Sequence, residues 1–210
     1  MSKSYAECLM EIYGAPERLI GIFEKLKNGG NWKGLAANMT YYDDWLAITF
    51  AGYFKEVPDE YKYEFLVDVY AHGGDEVSSI RKEIRRARQY GTPELPSEFE
   101  GQDVITVYRA GDELISKAPY RLSWTTDRAR AEWFMVYSGM RKQSDMHLYQ
   151  AEIKREKVIA YTNIREENEI IQYRGVRGVE EIGNMTYQEV MDKFFKNREK
   201  NSKTIHEIEW

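Results

Sequence analysis

The chain has 210 residues, 42% hydrophobic and 14% aromatic, with a formal net charge of −5. That composition builds a substantial core in one domain or two small ones and excludes a largely disordered chain. An acidic balance with no dominant basic run argues against broad phosphate-driven nucleic-acid binding, which makes a nucleic-acid partner the weaker expectation.

Met1-Ser2-Lys3-Ser4-Tyr5 leads into no apolar leader segment, and no later run reaches membrane-spanning length. A cytoplasmic protein with no membrane partner is expected. The only cysteine, Cys8, excludes an intrachain disulfide, suits a reducing compartment and, beside Leu9 and Ile12, reads as core. Pro16 suits a first helical turn; Leu19, Ile20, Phe23 and Leu26 follow at helical spacing, and Asn28-Gly29-Gly30 supplies a stop. Further helices are predicted from about Trp32 to Phe54, Asp59 to Ala71 and Asp75 to Gln89, punctuated by Pro58 and Gly73-Gly74. In the last of these, Arg81, Lys82, Arg85, Arg86 and Arg88 read as a solvated face, opposite buried Val77, Ile80, Ile84 and Ala87. Two prolines in Gly91-Thr92-Pro93-Glu94-Leu95-Pro96-Ser97 then stop helix formation. The boundary falls there, between a helical subdomain at 1–97 and a second domain at 98–210.

Beyond the boundary the hydrophobic period shifts towards two. Strands are predicted at Val104 to Tyr108, Tyr120 to Ser123, His147 to Lys154, Val158 to Tyr161, Glu169 to Tyr173 and Val179 to Ile182. A helix at about Asp127 to Tyr137 interrupts them. Thr186-Tyr187-Gln188-Glu189 has the capping-box form and opens a last helix with Val190, Phe194 and Phe195 on one side. The class is α+β. His72, His147 and His206 are scattered and give no zinc spacing with Cys8, so no metal is expected.

Three short patterns follow one another in this second half: Val107-Tyr108-Arg109-Ala110-Gly111, Leu122-Ser123-Trp124-Thr125-Thr126, and Arg165-Glu166-Glu167-Asn168-Glu169-Ile170-Ile171. Each polar residue sits on or beside a predicted strand, so that a cation, a hydroxyl and a carboxylate would converge across a small sheet. Arg109 offers a planar fork that grips anionic oxygens with paired hydrogen bonds and keeps its charge in any environment. Its alternative is an edge-strand arginine paired with a neighbouring acid. If strand alternation runs through the third pattern, Glu167 and Glu169 point to one face.

The order and spelling of these patterns, over roughly residues 101–183, resemble the Arg-Ser-Glu branch of the ADP-ribosyltransferase superfamily. Ser123-Trp124-Thr125-Thr126-Asp127 running into the helix pattern of Ala129-Arg130-Ala131-Glu132-Trp133-Phe134 carries most of the likeness. The resemblance implies a split β-sheet fold with NAD+ lying across it as substrate, and a small mono-ADP-ribosyltransferase of bacterial or phage type acting on an unidentified host or bacterial protein. It assigns Arg109 to NAD+ binding and Glu169 to the carboxylate that stabilises the oxocarbenium-like ribose as nicotinamide leaves. By the same resemblance Ser123 holds that carboxylate in place, and Thr125 and Thr126 either share the duty or cap the helix behind them. Tyr108, Trp124, Trp133 and Phe134 are candidate faces for the nicotinamide ring. Glu167 completes Glu-x-Glu, the form that accompanies transfer to arginine side chains. The aromatic residue expected in the loop just before these acids is absent, because Thr162, Asn163, Ile164, Arg165 and Glu166 stand there; Arg165 is also placed to pair with Glu167. Two other outcomes fit the same residues: an NAD+ glycohydrolase, in which water replaces the acceptor, and a non-catalytic binding or inhibitor protein on the same fold. A dehydrogenase is disfavoured, since no Gly-x-Gly-x-x-Gly follows a strand.

Overall fold

The computed structural model describes Phe54, Val57 and residues 59–72 and 78–208, with side chains to residue 198. The helices expected around Pro16 and from Trp32 to Phe54, together with Cys8, lie outside the described residues. The chain divides into two compact units, Met1–Glu94 and Leu95–Trp210. In the first, α1 (Asp59–Ala71) buries Phe65, Leu66, Val69 and Tyr70. Its neighbour α2 (Ser78–Ile84) buries Ile80 and Ile84. The helix expected to reach Gln89 ends at Ile84, and the chain continues as a short 3₁₀ turn at Ala87–Gln89. Lys82, Arg85, Arg86 and Arg88 are exposed while Ile80, Ile84 and Ala87 are buried, the solvated basic face that the spacing predicts.

The second unit is an antiparallel sheet with helices against it. Its strands are β1 (Val104–Gly111), β2 (Ser123–Thr125), β3 (Met146–Lys154), β4 (Ala160–Thr162), β5 (Glu169–Ile171) and β6 (Val176–Met185), in the order β4-β5-β2-β1-β3-β6. After β2 comes α3 (Arg128–Lys142), and after β6 comes α4 (Tyr187–Ile208). Two strands begin later than the sequence predicts. Pro119 sits in a 3₁₀ turn at Ala118–Tyr120, which delays β2 to Ser123, and a second such turn at Arg155–Lys157 precedes β4. Edge strand β6 extends three residues past each end of the predicted Val179–Ile182 segment, its apolar residues being separated by charged residues, Asn184 and two glycines. Register slips between the pairs Gln150–Glu180 and Glu152–Arg177, next to Gly178 at φ 59°. A residue without Cβ takes that left-handed geometry at no steric cost.

Residues paired across adjacent strands share a face. Ile105 pairs with Ile153 and Val107 with Ala151, and these four join Trp124, Ile170, Tyr149 and Val176 in one buried cluster. On the opposite face Ala131 and Met135 of α3 and Val190 of α4 pack against Met146 and Leu148, with Tyr108 and Ala110 alongside. Asp127 caps α3, its Oδ1 accepting from the Ala129 and Arg130 amides, so neither Thr125 nor Thr126 is the cap. The capping box of α4 forms as the sequence predicts: the Thr186 amide donates to Glu189 Oε2 (2.8 Å) and the Glu189 amide to Thr186 Oγ1 (3.3 Å). Val190 is buried and Phe194 half-buried, but Phe195 is exposed, because it stands one residue past the buried stripe. Among the described residues no helix is long and apolar enough to cross a membrane.

Candidate functional site

Strand order brings the three sequence patterns together. β1 carries Arg109, β2 carries Ser123 and β5 carries Glu169, and these are consecutive neighbours in the sheet. Their spacing in sequence is wide; the antiparallel pairings of β1 with β2 and of β2 with β5 collapse it to two strand widths. Arg109 is on an interior strand, so the alternative of an edge-strand arginine is half right: it is paired with an acid, but in the middle of the sheet.

The β1–β2 ladder consists of one pair, Tyr108 with Thr125. Past it the strands part, and Arg109 fills the opening. Gln172 donates its amide to the Leu122 carbonyl on the β5 side. Successive strand carbonyls point to opposite edges, so the Ser123 carbonyl faces β1. Arg109 Nη1 donates to it at 2.7 Å. Arg109 Nε donates to Glu113 Oε1, also at 2.7 Å, and the Glu113 side chain is only 2% exposed. Arg121 approaches the same oxygen, Nε to Oε1 3.4 Å. Burial acts to raise the Glu113 carboxyl, but the Arg109 charge and hydrogen bond, with Arg121 beyond, outweigh it and hold the group below the ordinary glutamate range. Tyr149 donates its hydroxyl to the Glu113 carbonyl, and burial, with Glu181 and Glu113 nearby, pushes that phenol up to about 12, so it remains a donor. Gly111 completes the arrangement: a Cβ there would collide with the Glu113 carboxylate.

Glu169 lies on the other face. Thr125 is opposite Tyr108 on one side and Glu169 on the other, and Glu169 is in turn opposite Thr162. Thr125, Glu169 and Thr162 are all buried, Glu169 at 4% exposure, forming a polar rung across β2, β5 and β4. Ser123 shares that face two residues along β2. Arg109 pairs with Tyr149 and leaves the sheet on the opposite face, reaching the Ser123 main chain through the gap between strands. Glu169 is almost closed off from solvent.

Glu167 is not on the strand. β5 begins at Glu169, and Asn168 before it has φ 46° and Glu166 φ 56°, so the alternation expected to aim Glu167 and Glu169 together does not extend that far. Arg165 Nε lies 3.2 Å from Glu167 Oε1, the pairing its position in the sequence suggested. Thr125 fixes the loop instead, donating Oγ1 to the Glu167 carbonyl (2.6 Å) and accepting from the Asp127 amide (3.0 Å). Asn168 accepts at Oδ1 from the Tyr161 hydroxyl (2.9 Å) and takes its amide's partner from Asn163 Oδ1 (3.0 Å).

Of the candidate ring faces, Trp124 is sealed in the core and Tyr108 is half-buried beneath α3, so neither presents an open face. Trp133 is exposed and stacks on Tyr137, centroids 4.7 Å apart, with Phe134 edge-on at 5.1 Å. Two residues escaped sequence reasoning. Glu113, in Gly111-Asp112-Glu113, has the spelling of a solvated turn. Gln172 is fully buried, donating Nε2 to the Pro119 and Arg121 carbonyls and accepting at Oε1 from the Gly175 amide. Its signal was present, as a polar residue directly after the apolar pair Ile170-Ile171. Among the described residues no cluster of three His, Cys, Asp or Glu is placed to hold a metal ion. Comparison with protein-family models, curated proteins and solved structures finds no match to this chain.

Proposed function

We propose that the unit 95–210 has an ADP-ribosyltransferase-like fold and is a mono-ADP-ribosyltransferase of the Arg-Ser-Glu type, which cleaves the nicotinamide–ribose bond of NAD+ and transfers ADP-ribose to a protein acceptor. The observation that supports this reading is the adjacency of β1, β2 and β5, which puts Arg109, Ser123 and Glu169 on neighbouring strands, with Arg109 on one face of the sheet and reaching the Ser123 carbonyl, and Ser123 and Glu169 on the other. Nicotinamide leaves as a neutral ring from a cationic pyridinium, so the bond breaks without a strong general acid. What the transition state needs is negative charge beside the ribose and an anchor for the pyrophosphate. Glu169 supplies the carboxylate, flanked by Thr125 and Thr162. Arg109 supplies the anchor, its orientation fixed by Glu113 and the Ser123 carbonyl.

A second reading, NAD+ hydrolysis, draws support from one observation. Glu167, the acid that would polarise an acceptor, is tied to Arg165 and stands off the strand that carries Glu169. Water needs no such residue. Incubating the protein with labelled NAD+ and a cell lysate, followed by mass spectrometry, separates the two. Transfer gives a macromolecule with the added mass of ADP-ribose, hydrolysis gives free ADP-ribose alone, and intact NAD+ rejects both.

A further inference from the structure

Glu113 organises two guanidinium groups, and sequence reasoning assigned a role to only one of them. Arg109 donates Nε to Glu113 Oε1 at 2.7 Å, and Arg121 Nε stands 3.4 Å from the same oxygen as an ion pair. The carboxylate cannot swing away: it is 2% exposed, Gly111 lies directly against it, and the residue's own carbonyl is held by Tyr149. A guanidinium engaged through Nε turns its Nη pair outward, and that pair is the fork that binds a planar or tetrahedral oxyanion bidentately. Arg109 commits Nη1 to Ser123 and keeps Nη2. Arg121, 40% exposed, meets Glu113 only as this ion pair, and among the described residues its guanidinium donates no side-chain hydrogen bond, which leaves its Nη groups for a ligand. The charges do not cancel. Asp112 is engaged by Lys142 at 2.7 Å and also lies in the field of Arg121, so among these groups three cations stand against two carboxylates.

From this geometry we infer that Arg109 and Arg121 form a two-pronged site for a diphosphate, with Glu113 as the positioning residue that sets their separation. The identification of the diphosphate with that of NAD+ rests on the function proposed above; the anion site itself does not. A purely structural role for Arg121 is the competing explanation. It predicts little, because a part-exposed second contact to an already paired carboxylate adds little to stability.

The test uses the full chain and two probes, inorganic pyrophosphate and NAD+, titrated against the unaltered protein, Arg121→Ala and Arg121→Lys, with thermal unfolding recorded for each. Loss of a charge-assisted contact weakens binding by about tenfold or more. We expect Arg121→Ala to lose that much for both probes with its unfolding temperature nearly unchanged. Arg121→Lys should recover only part, since a point charge lacks the fork, and it serves as the comparison if the alanine variant is unstable. Affinity for pyrophosphate should also fall as salt rises. If both variants bind both probes as the unaltered protein does, Arg121 takes no part and the inference is overturned, while the proposed function stands. Should pyrophosphate bind in an Arg121-dependent way and NAD+ not bind, the anion site is real and the NAD+ reading fails. If neither probe binds the unaltered protein, the inference is overturned together with that reading.

Discussion

At the scale of single residues, the pairing of Arg109 with Glu113 changes what a substitution does. An arginine that waited alone for an anion would be removable without harm to the fold. Here Arg109→Ala leaves a buried carboxylate with only the longer Arg121 contact, and Glu113→Ala leaves the Arg109 guanidinium without its carboxylate, each at a cost of about 3 kcal/mol, to be read from urea denaturation. The pH dependence follows from the same pair. Glu113 is held below the ordinary carboxyl range in the folded protein. Its contribution is therefore fully present above the unfolded-state value, about 4.3, and is lost as pH falls through the folded value. Glu113→Gln should lower stability at neutral pH and flatten its loss on acidification. A variant whose acid limb matches that of the unaltered protein would place the sensitivity elsewhere. Gly111→Ala tests the packing: the added methyl displaces the Glu113 carboxylate, destabilising by about 1–3 kcal/mol. An unchanged midpoint would show that the carboxylate has room to move.

Among the elements, local capping chemistry sets where α3 and β5 begin. Asp127→Ala removes the acceptor for two amides at the start of α3 and should cost about 1 kcal/mol by chemical denaturation. Asn168→Ala should cost about 1–3 kcal/mol, since it loses the Tyr161 hydrogen bond and puts a residue with a less tolerant Cβ into left-handed backbone. These positions also mark the limit of what the sequence reveals. Val104–Gly111 and Met146–Lys154 were legible because alternate residues face a buried cluster, and the α4 cap because Thr-x-x-Glu is a local signal. β6 was only partly legible: its apolar residues Val176, Val179, Ile182 and Met185 recur every third residue across a register slip, so it carries no alternation to read. The three motif residues could be placed on strands, but the faces could not, since the β1–β2 register depends on one long-range pair. The separation of Glu167 from Glu169 depends on two left-handed residues, one of them a glutamate, which composition does not announce. Glu113 escaped because burial of an acid is decided by partners distant in sequence, here Arg121 and Tyr149.

For the molecule as a whole, both clusters that hold the sheet are built, among the described residues, from Leu95 onward. Residues 95–210 made alone should therefore unfold in one cooperative transition, monitored by circular dichroism and by tryptophan fluorescence. Two probes that disagree would show that the unit needs the rest of the chain. On the proposed function, that fragment would carry bond cleavage, and choice of acceptor would fall to surfaces outside it. The central claim is that Glu169 serves the breaking nicotinamide–ribose bond, and the most direct measurement is nicotinamide release from NAD+ by the full chain and by Glu169→Gln. The substitution preserves size and removes the negative charge, so release should fall by several orders of magnitude, about what loss of transition-state electrostatics produces, while NAD+ still binds. Undiminished release by Glu169→Gln would contradict the account, because no other residue in it is assigned to stabilise the ribose cation.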